Sequence, residues 1–210
     1  MKSLSKVIWV FFFLSALIFT SCQSEEKKLP IIGHKTIEGT DTTYHTIPDF
    51  TFVNQDSQKI TPATFEDKIY VVDFFFTSCP TICPVVKSQM LRIYEQFANE
   101  DRLLFLSHSV DGRRDSVPRL KVYADNLGVD AERWHFVTGD IVEIYDIAED
   151  YFSVAKEDPE APGGFDHSGR LILVDTNKHV RSFCDGTDTE DVDRFMKDIE
   201  KLLDEMDTAR

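Results

Sequence analysis

The sequence predicts an α/β domain in which helices flank a mixed β-sheet. Three patterns carry that prediction. Ile69 to Phe76 is a β-favouring apolar run broken only by Asp73, which fits a central strand covered on both faces. The hydrophobic period then lengthens, with Val86, Met90, Ile93, Tyr94 and Phe97 recurring at three- and four-residue steps, the signature of a helix with one buried face. Strand-like and helix-like segments alternate from there to a closing hairpin and helix.

With 210 residues, of which 42% are hydrophobic and 12% aromatic, the chain can bury one substantial core. Its net charge of −14 and lack of a basic stripe exclude nucleic acid as a partner. Residues 1–21 read as an export signal: Lys2 and Lys6 precede an apolar stretch, Val7 to Phe19, interrupted only by Ser15. That stretch is shorter than the roughly 20 residues a membrane-crossing helix needs. Thr20-Ser21-Cys22 resembles a bacterial lipobox, with Phe19 where leucine is usual, so Cys22 is the candidate lipidation site. A retained anchor and ordinary cleavage are the alternatives. Each places the domain outside the cytoplasm, on the periplasmic side, and the first two hold it at the membrane. Residues 22–46 lack periodicity and read as a tether, leaving 47–210 as the domain.

Within the domain, Phe50 to Val53 and Lys59-Ile60 suggest an N-terminal hairpin around Asn54-Gln55-Asp56-Ser57. Pro62 to Glu66 is a short helical turn. After the central strand, Pro84 suits the first turn of a helix reaching Asn99, since proline has no N–H to leave unpaired. Leu103 to Val110 is the next strand, and Val117 to Leu127 a helix stopped by Gly128. Arg113, Arg114 and Asp115 read as a solvated turn capping that helix. Arg133 to Thr138 is a third strand, and Asp140 caps a helix reaching Glu149. Glu157 to Asp166 is a polar Gly/Pro loop. Ser168 to Asp175 and His179 to Phe183 form an antiparallel hairpin, and Glu190 to Glu205 is the last helix. This order is that of a thioredoxin-like fold.

Chemistry concentrates where the central strand meets its helix, in Cys79-Pro80-Thr81-Ile82-Cys83-Pro84. Unpaired amides and the dipole at a helix N-terminus favour thiolate, the form that attacks disulfides and binds soft metals. Dithiol enzymes of this fold usually place two residues between their cysteines. Here there are three, so the sulfurs stand at i and i+4 and can close a disulfide or converge on one ion. A purely structural disulfide across so small a loop would stabilise little. His167, just after the Gly/Pro loop, is a third donor on the loop edge that this fold turns toward the cysteine-bearing tip. Two thiolates and an imidazole suit copper in either oxidation state, Cu(I) or Cu(II).

At this point the chain resembles the SCO/SenC family, copper-binding proteins of cytochrome c oxidase assembly. The matching residues are Phe74-Phe75-Phe76-Thr77-Ser78-Cys79-Pro80-Thr81-Ile82-Cys83-Pro84, Ser109-Val110-Asp111-Gly112-Arg113-Arg114-Asp115, and Asp166-His167-Ser168. The resemblance covers most of the chain after Ile47. It implies that Cys79, Cys83 and His167 bind one copper ion, and that the protein delivers copper to, or reduces the cysteines of, the binuclear copper centre in a subunit of cytochrome c oxidase. Thr81 stands where many members have aspartate, and Cys184 lies outside the motifs. The alternative is a membrane-tethered thiol-disulfide oxidoreductase or peroxide-reducing enzyme, in which one of Cys79 and Cys83 attacks and the other resolves. Among the other histidines, His135 reads as a packed residue, His108 and His179 as strand residues with satisfied partners, and His34 and His45 as exposed in the tether. The aromatic run Phe74 to Phe76 reads as core, with shielding of a metal the alternative for Phe76.

Overall fold

The computed structural model describes residues 28–208. The expected export signal and Cys22 lie outside them. Strands β3 (Phe52–Asn54), β4 (Lys59–Ile60), β5 (Ile69–Phe75), β6 (Leu103–Ser109), β7 (Trp134–Thr138), β10 (Arg170–Val174) and β11 (Val180–Asp185) form a seven-stranded mixed sheet in the order β11-β10-β5-β6-β7-β3-β4. Only β5, β6 and β7 run parallel, with Val72 opposite Leu106 and Leu106 opposite His135. Antiparallel hairpins complete both edges.

Helices α1 (Cys83–Gln96), α2 (Val117–Leu127), α3 (Ile141–Asp150) and α4 (Thr189–Thr208) cover the sheet. Every residue of β5 is buried, as expected of a strand with two covered faces. Asp73 and Phe75 point to one side, toward Lys87 of α1 and Tyr123 of α2. Phe74 points to the other, against Tyr151 just beyond α3. Gly128 ends α2 in the left-handed region at φ +70°, where glycine carries no steric cost. The Asp140 carboxylate accepts from the Val142 amide at 2.8 Å and starts α3.

Four local expectations are corrected. Residues 28–46, the described part of the expected tether, carry structure of their own: β1 (Lys35–Glu38) and β2 (Asp41–Tyr44) form an exposed hairpin, Leu29 and Ile32 pack on the core, and the Ile32 amide donates to the Val180 carbonyl at 2.8 Å. His45, expected to be exposed, is correspondingly half-buried, 2.8 Å from the Asp150 carbonyl and with its ring tilted against that of Phe152 at 4.9 Å between centroids. The expected polar loop contains a second small sheet, β8 (Ala155–Glu157) paired with β9 (Phe165–His167). Its strands are too polar to show a period, and their pairing comes from packing rather than pattern.

The other two corrections concern polar side chains. His108 is fully buried between Phe74 and Phe52, and neither ring nitrogen finds a partner among the described residues. Asp115, expected in a solvated turn, is 0% exposed. No helix among the described residues is long and apolar enough to cross a membrane.

Candidate metal centre

The parallel strand β5 delivers the chain to Phe76 and Thr77. The backbone then turns, with the Cys79 amide donating to the Phe76 carbonyl at 3.2 Å, and α1 begins at Cys83. Cys79 therefore lies just ahead of the helix and Cys83 in its first turn, both buried as free thiols. The third donor comes from the small sheet. β9 pairs with β8 in a register that sets His167 opposite Ala155, and Ser153 and Ser168 share a hydroxyl contact at 2.7 Å beside it.

The His167 ring reaches both sulfurs: Nε2 lies 3.1 Å from Cys83 Sγ and 3.6 Å from Cys79 Sγ. All three donor atoms lie within 4.8 Å of one another, 84 or more residues of chain separating histidine from the cysteines. Nδ1 faces the Phe165 carbonyl at 3.4 Å, which leaves Nε2 as the nitrogen turned to the sulfurs. The Phe76 ring is 5.2 Å from the imidazole, edge to face, and walls the group from one side. On another side a cavity of about 320 Å³, walled by Leu91, Tyr123 and Leu127, opens onto both cysteines.

The environments of the two thiols differ. Burial pushes Cys79 up, but the Thr81 and Cys83 amides and the neighbouring Cys83 thiol outweigh it, and its pKa falls below the ordinary thiol value. Burial also pushes Cys83 up, and its contact with Cys79 adds to the rise. Of the pair, Cys79 gives up its proton first. Burial lowers the His167 pKa and favours the neutral ring with a free lone pair. A soft, shielded set of two sulfurs and one neutral imidazole fits a thiophilic ion such as copper.

Beneath the thiols lies a buried ion pair absent from the sequence reading. Lys87, one turn after Cys83, donates to both Asp73 oxygens at 2.8 and 2.7 Å and to Ser107 Oγ at 2.8 Å. Its ammonium also lies 4.2 Å from the centre of the Phe75 ring. The signal was Asp73 itself: a carboxylate in an otherwise apolar strand requires a buried cation nearby. Cys184, by contrast, is 1% exposed on β11 with its thiol pKa raised by burial, a small core residue.

Fold and site together define a thioredoxin-like domain whose cysteine pair faces a histidine at the parallel-strand edge. The sequence matches the SCO1/SenC family over residues 38–204, and the chain belongs to that family. It is 27% identical over 161 residues to the SCO1 protein homolog of Bacillus subtilis (strain 168), covering 76% of this chain and 83% of that one. The crystal structure of a SCO1/SenC family lipoprotein from Bacillus anthracis superposes with a TM-score of 0.69 at 25% identity, covering 75% of this chain and 95% of the other. The structure of Bradyrhizobium japonicum ScoI with copper bound gives 0.57 at 25% identity, covering 72% and 98%.

Proposed function

We propose that this domain carries one copper ion on Cys79, Cys83 and His167 and passes it to an acceptor, the binuclear copper subunit of cytochrome c oxidase being the one the family resemblance implies. The observation that supports this most directly is the approach of Nε2 to both sulfurs, at 3.1 and 3.6 Å. Two thiolates hold the cargo softly, and the imidazole completes a three-donor set acceptable to both copper oxidation states. Transfer is ligand exchange: an acceptor thiolate enters, a cysteine of this chain leaves and takes back a proton, and relative affinity sets the direction. The export signal and a lipid on Cys22 would place the exchange at the outer face of a membrane.

Copper and free thiols counted on the same anaerobically purified sample test the reading. We expect one copper per chain, released when Cys79 and Cys83 are oxidised. His167→Ala should lower copper affinity by at least tenfold, the scale on which lost ligand support is felt; unchanged affinity and stoichiometry would show that the imidazole is not a donor. Serine at either cysteine should cost more than loss of the histidine, because thiolates are the softer donors.

The split in thiol proton affinity favours a second activity on the same residues, reduction of a partner disulfide with Cys79 attacking and Cys83 resolving. That chemistry needs no imidazole. Copper-free His167→Ala protein should therefore exchange with a partner disulfide at the parent rate, and exchange no faster than the uncatalysed reaction in the parent would remove this activity.

A further inference from the structure

The three donors belong to two separate pieces of chain, and the sequence motif between them, Asp111 to Asp115, touches both. On the cysteine side, Asp115 is fully buried. Its Oδ2 accepts from the Thr77 amide at 2.9 Å and the Ser109 hydroxyl at 2.7 Å, and its Oδ1 from the Thr77 hydroxyl at 2.6 Å. Thr77 is two residues before Cys79, and Arg119 Nε donates to its hydroxyl oxygen at 2.6 Å.

On the histidine side, Arg114 Nη2 donates to the Gly163 carbonyl at 3.2 Å, and its guanidinium lies 5.7 Å from the centre of the Phe165 ring, two residues before His167. Arg114 is itself held by the buried Asp111 carboxylate. Gly163 shows how closely the pieces meet. It sits at φ +82°, and a Cβ there would come within 2.7 Å of the Phe76 ring and 3.2 Å of Pro80.

We propose that Arg114 and Asp115 are positioning residues that clamp the cysteine turn to the histidine hairpin and thereby set the sulfur-to-imidazole spacing. Adjacent in sequence, they point to opposite halves of the site. Asp115 fixes where Cys79 leaves the strand, through two bonds to Thr77 that only a carboxylate, an acceptor at both oxygens, can make together with the one from Ser109. Arg114 fixes the approach of His167, through the fork and flat face of a guanidinium, which lysine cannot reproduce. The proposal rests on the metal-binding reading for its role but not for its geometry.

A double-mutant cycle tests the clamp. Cu(I) affinity would be read by competition with a chromophoric chelator for Arg114→Lys, His167→Ala and their combination. If Arg114 acts through the imidazole, Arg114→Lys weakens binding about tenfold in the parent and not further in the His167→Ala background. Equal loss in both backgrounds would overturn that half. Asp115→Asn, and Thr77→Val as the variant that strands no buried charge, displace the sulfurs from the imidazole and should weaken binding in the parent and by less in the His167→Ala background; no loss in the parent, or equal loss in both backgrounds, would overturn the other half.

Two readouts on copper-free, folded protein separate failure of the clamp from failure of the metal reading. Arg114→Lys should shift the His167 ring nitrogen signals in NMR while leaving the alkylation rate of Cys79 within twofold. Thr77→Val should do the reverse. If both variants change both readouts alike, the two residues act only on general stability and the clamp is wrong; if the parent binds no copper while these signals separate as stated, the clamp stands and the cargo is wrong.

Discussion

Cys79 and Cys83 are a single helical turn apart, yet one environment favours the thiolate and the other the thiol. The difference is local: the amides of Thr81 and Cys83 point at the Cys79 sulfur, whereas Cys83 lies deeper and pairs with its neighbour. In copper-free protein, iodoacetamide should therefore label Cys79 first, with a rate that rises through a pH range below the ordinary thiol value, while Cys83 stays unlabelled at neutral pH. Peptide mapping gives the order, and initial labelling at Cys83 would contradict the assignment. His108 offers a second test at this scale. It is an aromatic packing element whose two nitrogens are left without partners, and burial lowers its pKa to about 3. Because the folded state disfavours the charged ring, the unfolded chain binds protons more tightly; the contribution to stability is complete above about pH 6.5 and is lost as pH falls toward about 3. His108→Phe keeps the stack on Phe74 and removes the unsatisfied groups, so urea unfolding should show a gain of about 1–3 kcal/mol and a flatter acid limb.

At the scale of elements, β5 and α1 are joined by chemistry as well as by sequence. The pair Asp73 and Lys87 is almost wholly buried under the thiol turn. Lys87→Met would strand a carboxylate in the core and should cost about 3–5 kcal/mol, whereas Asp73→Asn combined with Lys87→Met should recover most of that loss in urea denaturation. A single variant as stable as the parent would show that the pair is not desolvated. The same junction shows what the sequence made legible. A continuous apolar run located β5 and apolar periodicity located α1, because each buries much of its length, and Cys79, Cys83 and His167 stood out by residue type and motif. Lys87 was hidden because a lysine at helical spacing reads as a solvated face. The β8 and β9 pairing was hidden for a related reason: Lys156, Glu157 and Asp166 are polar, and only contact with the rest of the domain makes Phe165 and His167 a strand. The segment from Lys28 to Ile47 showed no period because it docks through separated residues rather than a continuous face.

Across the whole molecule, the docked N-terminal segment and the candidate metal centre lie at opposite ends of the sheet. β5 and β6 run in parallel toward the thiols, so the site sits at their C-terminal edge, where such sheets gather function. β11 begins at the other edge, and it is there that the Ile32 amide bonds to Val180 and the Ile47 amide to Lys178. Arg181 holds this attachment. It donates to the Leu29 carbonyl at 2.6 Å and the Pro30 carbonyl at 3.1 Å while pairing with Asp175 and Glu205, both largely buried. The arrangement depends on Arg181. Arg181→Ala leaves two carboxylates without their cation and two carbonyls without a donor, and should cost about 3–5 kcal/mol. Native-state hydrogen exchange separates local release from global loss: in the parent, the Ile32 and Ile47 amides should be protected, and in Arg181→Ala they should exchange at least tenfold faster relative to the β5 amides. Rapid exchange at both amides in the parent would mean that the segment is not held.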